Sequence, residues 1–352
     1  MLGTALGSMM SFYAYLNVPD SGHKPSVFPT LPVSSSKIIT PGHLGSTIGI
    51  VGVDLEMVLS APASEITEKK KLDALEVILQ DASNGQYDFL PYSLTAEKVS
   101  AMSAPVYKIK NKYTIETTEY TYDKEGKSST KQATATHTHV GCGVVIQKAE
   151  SEPHMLVLTA RHVTLPTIPP EKKDEQGRIV SSSKVITHSI SLVFAETDFF
   201  NMELFLPLSV LARSSEADVA ILEATLNHAE ELSSFAVAPI FGDSDELSAG
   251  QLVHLVSFPL GLVKTYTQGI VTTTGDPFRA WDDTSFYLNA ASSPGSSGGA
   301  AYALRDGRPE LVGILSWKIA MGEAISGAVR VNHAKKLLQE MNLPAYYHTI
   351  NH

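Results

Sequence analysis

The 352-residue sequence predicts a mainly β protein, a sandwich or barrel preceded by an α+β extension and closed by a C-terminal helix. Beyond about residue 104, short runs rich in Val, Ile, Thr, Tyr and Phe alternate with turn residues, the texture of strands joined by tight connections. Helical periodicity is confined to two stretches, one before that region and one at its end. With 43% hydrophobic residues, a chain of this length can bury a full core.

In chain order, residues 17–43 hold Pro19, Pro25, Pro29, Pro32 and Pro41 beside Ser34, Ser35 and Ser36, which predicts an extended arm. Residues 46–59, rich in Ile and Val, suit a strand. Over residues 65–82, Leu72, Leu75, Leu79 and Ala82 recur at helical spacing, with Glu65 and Glu68 in the first turn and Asn84-Gly85 as a stop. Residues 106–122 and 130–146, separated by Asp123-Lys124-Glu125-Gly126, predict a long hairpin. Further strands are expected at 155–158, 190–194, 219–222, 252–256, 269–273, 286–289 and 311–316. Residues 164–184 resemble a surface insertion. Asn332 is placed to cap a helix whose apolar face is Ala334, Leu337, Leu338 and Met341, and Pro344 ends it.

A net charge of −10 argues against nucleic acid or an anionic membrane as partner. The first eighteen residues lack a basic start and are interrupted by Gly3, Thr4, Gly7 and Ser8, so no cleaved signal is expected. No run suits a membrane-spanning helix. Cys142 is the single cysteine, so an intrachain disulfide is impossible, and the compartment is left open.

Three local signals then appear in the order His, Asp, Ser. Hydrolysis of a peptide bond by a serine needs a base, a carboxylate to orient that base, and donors for the oxyanion. His162 follows the apolar run Leu156-Val157-Leu158-Thr159-Ala160-Arg161. Asp218 stands at the entrance to Val219-Ala220-Ile221-Leu222. Ser297 lies in Gly295-Ser296-Ser297-Gly298-Gly299, where glycines permit a turn that aims the Gly295 and Ser297 N–H groups at one point. Each signal also has an ordinary reading: a flexible Gly/Ser loop, a loop acid, one histidine among twelve. His137, His139, His154, His188 and His254 take that ordinary reading, as do Asp243 and Asp245.

Taken together, Leu158-Thr159-Ala160-Arg161-His162-Val163, Ala217-Asp218-Val219-Ala220-Ile221-Leu222 and Pro294-Gly295-Ser296-Ser297-Gly298-Gly299 resemble the signature segments of trypsin-like serine proteases. Gly141-Cys142-Gly143 and Gly242-Asp243-Ser244-Asp245 resemble the high-temperature-requirement (HtrA/Deg) branch. The resemblance implies the chymotrypsin-like arrangement of two antiparallel β-barrels, about 104–235 and 236–330, with His162, Asp218 and Ser297 as a triad in the cleft. It divides the chain into an extension, residues 1–103, and a protease domain, residues 104–347. It further implies that Ser316 supports Asp218, and that Ser316, Trp317 and Lys318 bind an extended polypeptide substrate. Ala291 falls at the base of the primary pocket, so a carboxylate selecting Arg or Lys is not expected there. Ser296 replaces the aspartate that serves zymogen activation in digestive relatives. Deg proteases usually carry a PDZ domain after the protease; none is expected here.

No cofactor or metal is expected: His137 and His139 share a strand face but lack a clear third ligand. Cys142 reads as a buried residue rather than a nucleophile. A non-catalytic binding protein on the same scaffold is the alternative to a serine endopeptidase. For residues 1–103, self-inhibition, docking of a protein partner and anchoring to an assembly all stay open.

Overall fold

The computed structural model describes residues 68–90, 94–148, 154–197, 202–226, 235–238, 240–275, 283–318 and 325–342. The expected arm at 17–43 and strand at 46–59 lie outside the described residues. Helix α1 (Glu68–Asp81) follows the expected period, with Leu72, Leu75 and Leu79 exposed. The Asp81 carboxylate then accepts the Phe89 and Leu90 amides at 3.2 and 3.1 Å. Helix α2 (Ala96–Ser103) starts at Thr95, whose hydroxyl accepts the Lys98 amide, and it carries Met102 into full burial.

The predicted hairpin is longer than its sequence signal. Strands β1 (Val106–Tyr122) and β2 (Ser128–Lys148) pair without a register shift from Val106↔Val144 to Tyr122↔Ser128. Asp123 Oδ1 accepts the Glu125 and Lys127 amides, and Gly126 takes φ +80°, so local turn chemistry sets this register. Strands β3 (His154–Thr159), β4 (Lys172–Lys173), β5 (Ile179–Thr197), β6 (Met202–Arg213) and β7 (Ala220–Thr225) complete a seven-stranded sheet in the order β1-β2-β3-β7-β6-β5-β4. Because β5 also pairs with β1, the sheet returns on itself. Ile109, Val144, Val157, Leu158, Leu192, Ile221 and Leu222 are buried with it.

Strands β8 (Leu252–Ser257), β9 (Thr265–Thr273), β10 (Ser285–Leu288), β11 (Ala300–Arg305), β12 (Arg308–Lys318) and β13 (Ser326–Arg330) form a closed barrel in the order β10-β13-β12-β11-β8-β9. Val253, Leu255, Phe286, Leu288, Val312 and Ala328 pack together as its core. Truncating Phe286, which is fully buried there, would cost about 3–5 kcal/mol. Helix α3 (Val331–Glu340) lays Val331, Ala334, Leu337 and Leu338 onto the larger cluster that also holds Val157 and Ile221, so one core joins first sheet, second barrel and helix. Tyr87 is buried against the second barrel: Asp88 N donates to Leu304 O at 2.7 Å, and Leu252 N to Asp88 O at 3.1 Å.

Three details differ from expectation. The 164–184 insertion contains β4 and the start of β5, because a turn at Asp174 (Gly177 N to Asp174 O, 3.0 Å) folds the segment into a hairpin. Strands β6, β11 and β13 were not expected. Asn332 is not the helix cap: α3 begins one residue earlier, and the Asn332 amide group donates to Asp243 Oδ1 and Asp245 Oδ2 at 2.7 and 2.9 Å.

Candidate active site

His162 lies in the short 3₁₀ turn Arg161–Thr164 directly after β3. That turn is clamped from several strands. Asn111 of β1 donates to the carbonyls of Val163 and Leu165 (2.9 and 3.1 Å), and Arg213 of β6 donates to Thr164 Oγ1 (2.8 Å). Asp218 stands just before β7, in a loop where Ser214 Oγ accepts the Glu216 and Ala217 amides. Arg161 donates to Ser214 O at 3.0 Å and ties the two loops together.

The Asp218 carboxylate accepts the His162 backbone amide at Oδ1 (2.9 Å). At Oδ2 it faces His162 Nδ1 (2.6 Å) and the Ser316 hydroxyl (2.5 Å). An ionised carboxylate only accepts, so the proton of the neutral imidazole sits on Nδ1 and leaves Nε2 basic. Burial alone would raise the Asp218 pKa. The hydrogen bonds and charge of His162, with the Ser316 hydroxyl, outweigh it and hold the carboxyl below its usual range.

Ser297 sits on a turn that only glycine can make at two points. Gly295 and Gly298 have φ +92° and +85°, and a Cβ on Gly298 would meet Cys142 O at 2.0 Å. Within the loop, Ser296 N donates to Ser293 O, Gly298 N to Leu315 O and Gly299 N to Ser296 O. The Gly295 and Ser297 amides have no backbone acceptor among the described residues. The Ser297 hydroxyl donates to Ser316 O at 3.2 Å, so one residue of β12 touches both the carboxylate and the serine. Ser296 is buried, with its hydroxyl bonded by Ser257 Oγ and the Ser293 amide.

Beside Ser297 is a pocket of about 90 Å³ lined by Ser292, Ser293, Pro294, Ser296, Leu315, Ser316 and Trp317. Trp317 meets Tyr287 edge-on at 4.7 Å and lies so close over Gly327 that an added Cβ would fall 2.2 Å from its ring. Ala291 is exposed and outside the lining; its carbonyl accepts Thr267 Oγ1 at 3.1 Å. The backbone of Lys318 pairs opposite Ser326, and its side chain lies outside the described residues. Ser292 and Ser326, linked by a 2.6 Å hydroxyl contact, were missed in the sequence because the two lie 34 residues apart and neither has a local signature. A wider cleft of about 480 Å³ runs past Arg161, His162, Asp218, Ser316 and Trp317.

Cys142 has basic neighbours in space that its sequence surroundings do not show, Lys264 and Lys108. Burial nevertheless pushes the thiol up to about 12. It donates to Gly295 O at 3.1 Å, beneath the serine loop. His137 stacks on Tyr113, and His139 meets the Tyr113 hydroxyl at 2.9 Å. Among the described residues there is no group of three or more His, Cys, Asp or Glu able to hold a metal ion. Nor, among them, is any helix long and apolar enough to cross a membrane.

Residues 141–314 match the family model described as a trypsin-like peptidase domain. The chain is 29% identical over 183 residues to the Serine protease Do-like HtrA of Lactobacillus helveticus, covering 48% of this chain and 41% of that protein. It is 32% identical over 145 residues to a probable periplasmic serine endoprotease DegP-like of Buchnera aphidicola subsp. Schizaphis graminum, covering 38% and 27%. The chain thus spans less than half the length of these curated relatives. Among solved structures it is similar to the HtrA-type protease AlgW with decapeptide, at 19% identity and TM-score 0.44, covering 71% of this chain and 68% of that one. The matched region, residues 141–314, is a trypsin-like peptidase domain, and the curated relatives it resembles are HtrA and DegP-like serine proteases.

Proposed function

We propose that this trypsin-like peptidase domain makes the chain a serine endopeptidase, with Ser297 as nucleophile, His162 as base and Asp218 as the orienting carboxylate. The observation that carries the reading is the Asp218 carboxylate, which accepts from both the backbone and the ring of His162 and from Ser316, and so presents Nε2 as a base. In the first step the Ser297 hydroxyl leaves Ser316 O, gives its proton to Nε2, and Oγ bonds to the scissile carbonyl carbon. The oxygen that becomes negative is received by the Gly295 and Ser297 amides. His162 then hands the proton to the departing amine, leaving an acyl-serine that water hydrolyses by the same route.

The small, hydroxyl-lined pocket beside Ser297 suits a small side chain before the cut, and no carboxylate among its lining residues would select Arg or Lys. Residues 104–347 would form the catalytic unit. The extension before residue 104 contributes Tyr87 and Met102 to the cores, and we assign its described part to bracing the barrels. Incubation with a reduced, carboxymethylated protein, followed by mass spectrometry, should show cuts after small residues that Ser297→Ala abolishes. A binding protein on this scaffold is favoured by one observation, the Ser297 hydroxyl facing Ser316 O. That reading predicts no cuts at all.

A further inference from the structure

The serine loop can receive an oxyanion only while the Gly295 and Ser297 N–H groups face one point, and Gly295 is the joint most able to swing away. Without a Cβ it crosses between negative and positive φ at little cost, and it is held here at +92°. In a trans peptide the C=O and N–H point in opposite directions, so whatever holds a carbonyl also aims the amide that follows it. Pro294 O accepts the Leu260 amide at 2.6 Å, which turns the Gly295 N–H away from the β8–β9 connection. Ser296 O accepts the Gly299 amide at 2.9 Å, which sets the Ser297 N–H in the same way. Leu260 reaches Pro294 from φ +56° with its side chain 65% exposed, so backbone strain rather than packing delivers that N–H.

Between those two peptides, Gly295 O has no backbone donor among the described residues. A side chain supplies one. The Cys142 thiol donates to Gly295 O at 3.1 Å and accepts the Phe258 amide at 3.2 Å, bridging the serine loop to the first residue after β8. The thiol starts from a fixed point, since the Cys142 amide donates to Ser297 O at 2.7 Å and its carbonyl accepts Thr159 Oγ1 at 2.6 Å. On the other flank, Ser257 Oγ at the end of β8 donates to Ser296 Oγ at 3.1 Å, and Ser296 Oγ also accepts the Ser293 amide at 3.2 Å. Cys142, Ser257 and Ser296 are all buried, so water does not compete for these bonds. Burial also keeps the thiol protonated, and therefore a donor, up to about pH 12.

We propose that Cys142 and Ser257 are positioning residues of the oxyanion hole, clamping the serine loop to the end of β8 so that the Gly295 and Ser297 amides stay aimed at the reacting carbonyl. The inference rests on the peptidase reading of Ser297. Neither residue touches substrate; each acts through the loop. The clamp is uncharged, in contrast to the aspartate that digestive relatives place at the position of Ser296.

Two measurements on the full chain test this. The first is amide hydrogen exchange, which needs no activity. Cys142→Ala and Ser257→Ala should each speed exchange at Leu260 and Ser296 by about tenfold or more, while the Leu255 amide within β8 keeps the parent rate. The second is kinetics with a cleaved peptide and with a peptidyl boronic acid, whose tetrahedral serine adduct places an oxygen in the hole. In both variants kcat should fall by roughly 10- to 100-fold with KM within about twofold, and the boronate Ki should rise by a similar factor. Cys142→Ser, which keeps a donor for Gly295 O, should return most of the lost kcat. Faster exchange in a chain whose parent cuts nothing would leave the clamp standing and remove only the peptidase reading. Unchanged exchange at Leu260 and Ser296 overturns the proposal. So does a lowered melting temperature with kcat and Ki at parent values, or a rise in KM alone, because either would assign these residues to packing or to substrate binding.

Discussion

The imidazole–carboxylate side of the site and the serine side are held in different ways. Asp218 and His162 are locked by side-chain and backbone hydrogen bonds between loops of one sheet, with further clamps from Asn111 and Arg213. Ser297 is held by backbone geometry: two left-handed glycines and close contact of the loop with Cys142. Ser316 is the residue that touches both. Side-chain substitutions on the first side should therefore alter chemistry while sparing the fold. On the second side, a single added methyl group should break the loop itself.

The largest effect separates nucleophile from scaffold. Ser297→Ala should lower kcat by roughly 10⁴-fold or more while leaving the unfolding free energy measured in urea within about 0.5 kcal/mol of the parent, because the half-buried hydroxyl makes one bond to a carbonyl. Asp218→Asn should cost roughly 10⁴-fold in kcat by favouring the wrong imidazole tautomer. If its activity loss is matched by global unfolding in circular dichroism, the contrast between the two sides is wrong. Gly298→Ala should do the opposite and destabilise the protein by about 3 kcal/mol or more, since a Cβ there meets Cys142 O and Thr159 Oγ1 at a positive φ. Thermal melts distinguish these outcomes.

Much of this was legible in the sequence, and the gaps have physical causes. The hairpin turn was readable because Asp123 and Gly126 act locally. Strand β11, Ala-Ala-Tyr-Ala-Leu-Arg, has the composition of a helix and is a strand because β8 and β12 flank it. Likewise the Ser181-Ser182-Ser183-Lys184 portion of β5 is polar, and its pairing with β1 makes it a strand. At the site, His162, Asp218 and Ser297 were marked by their flanking runs. Ser292, which lines the pocket, and Ser326, which bonds to it, come together only across the barrel.

Smaller effects sharpen the contrast further. Ser316→Ala removes the hydroxyl on the carboxylate but keeps the carbonyl at Ser297, so kcat should fall about tenfold, the size of one charge-assisted hydrogen bond. Acid should act chiefly on the cores rather than the catalytic loops. Burial holds His254 of β8 at about 4, whereas an unfolded histidine titrates near 6.5. Between those values the unfolded chain binds the proton and the folded one does not. Stability from this group is thus full above about pH 6.5 and declines as pH falls to about 4, by about 3 kcal/mol in all. His139, His188 and His333, also lowered by burial, add in the same direction. Urea unfolding between pH 7 and 4.5 checks this, and His254→Gln should flatten the profile.

Labelling with a fluorophosphonate tests the central claim most directly, because only an activated serine reacts. The account predicts a single adduct on the peptide containing Ser297, lost in Ser297→Ala and in His162→Ala. No adduct on folded protein, or labelling that persists in His162→Ala, would contradict it.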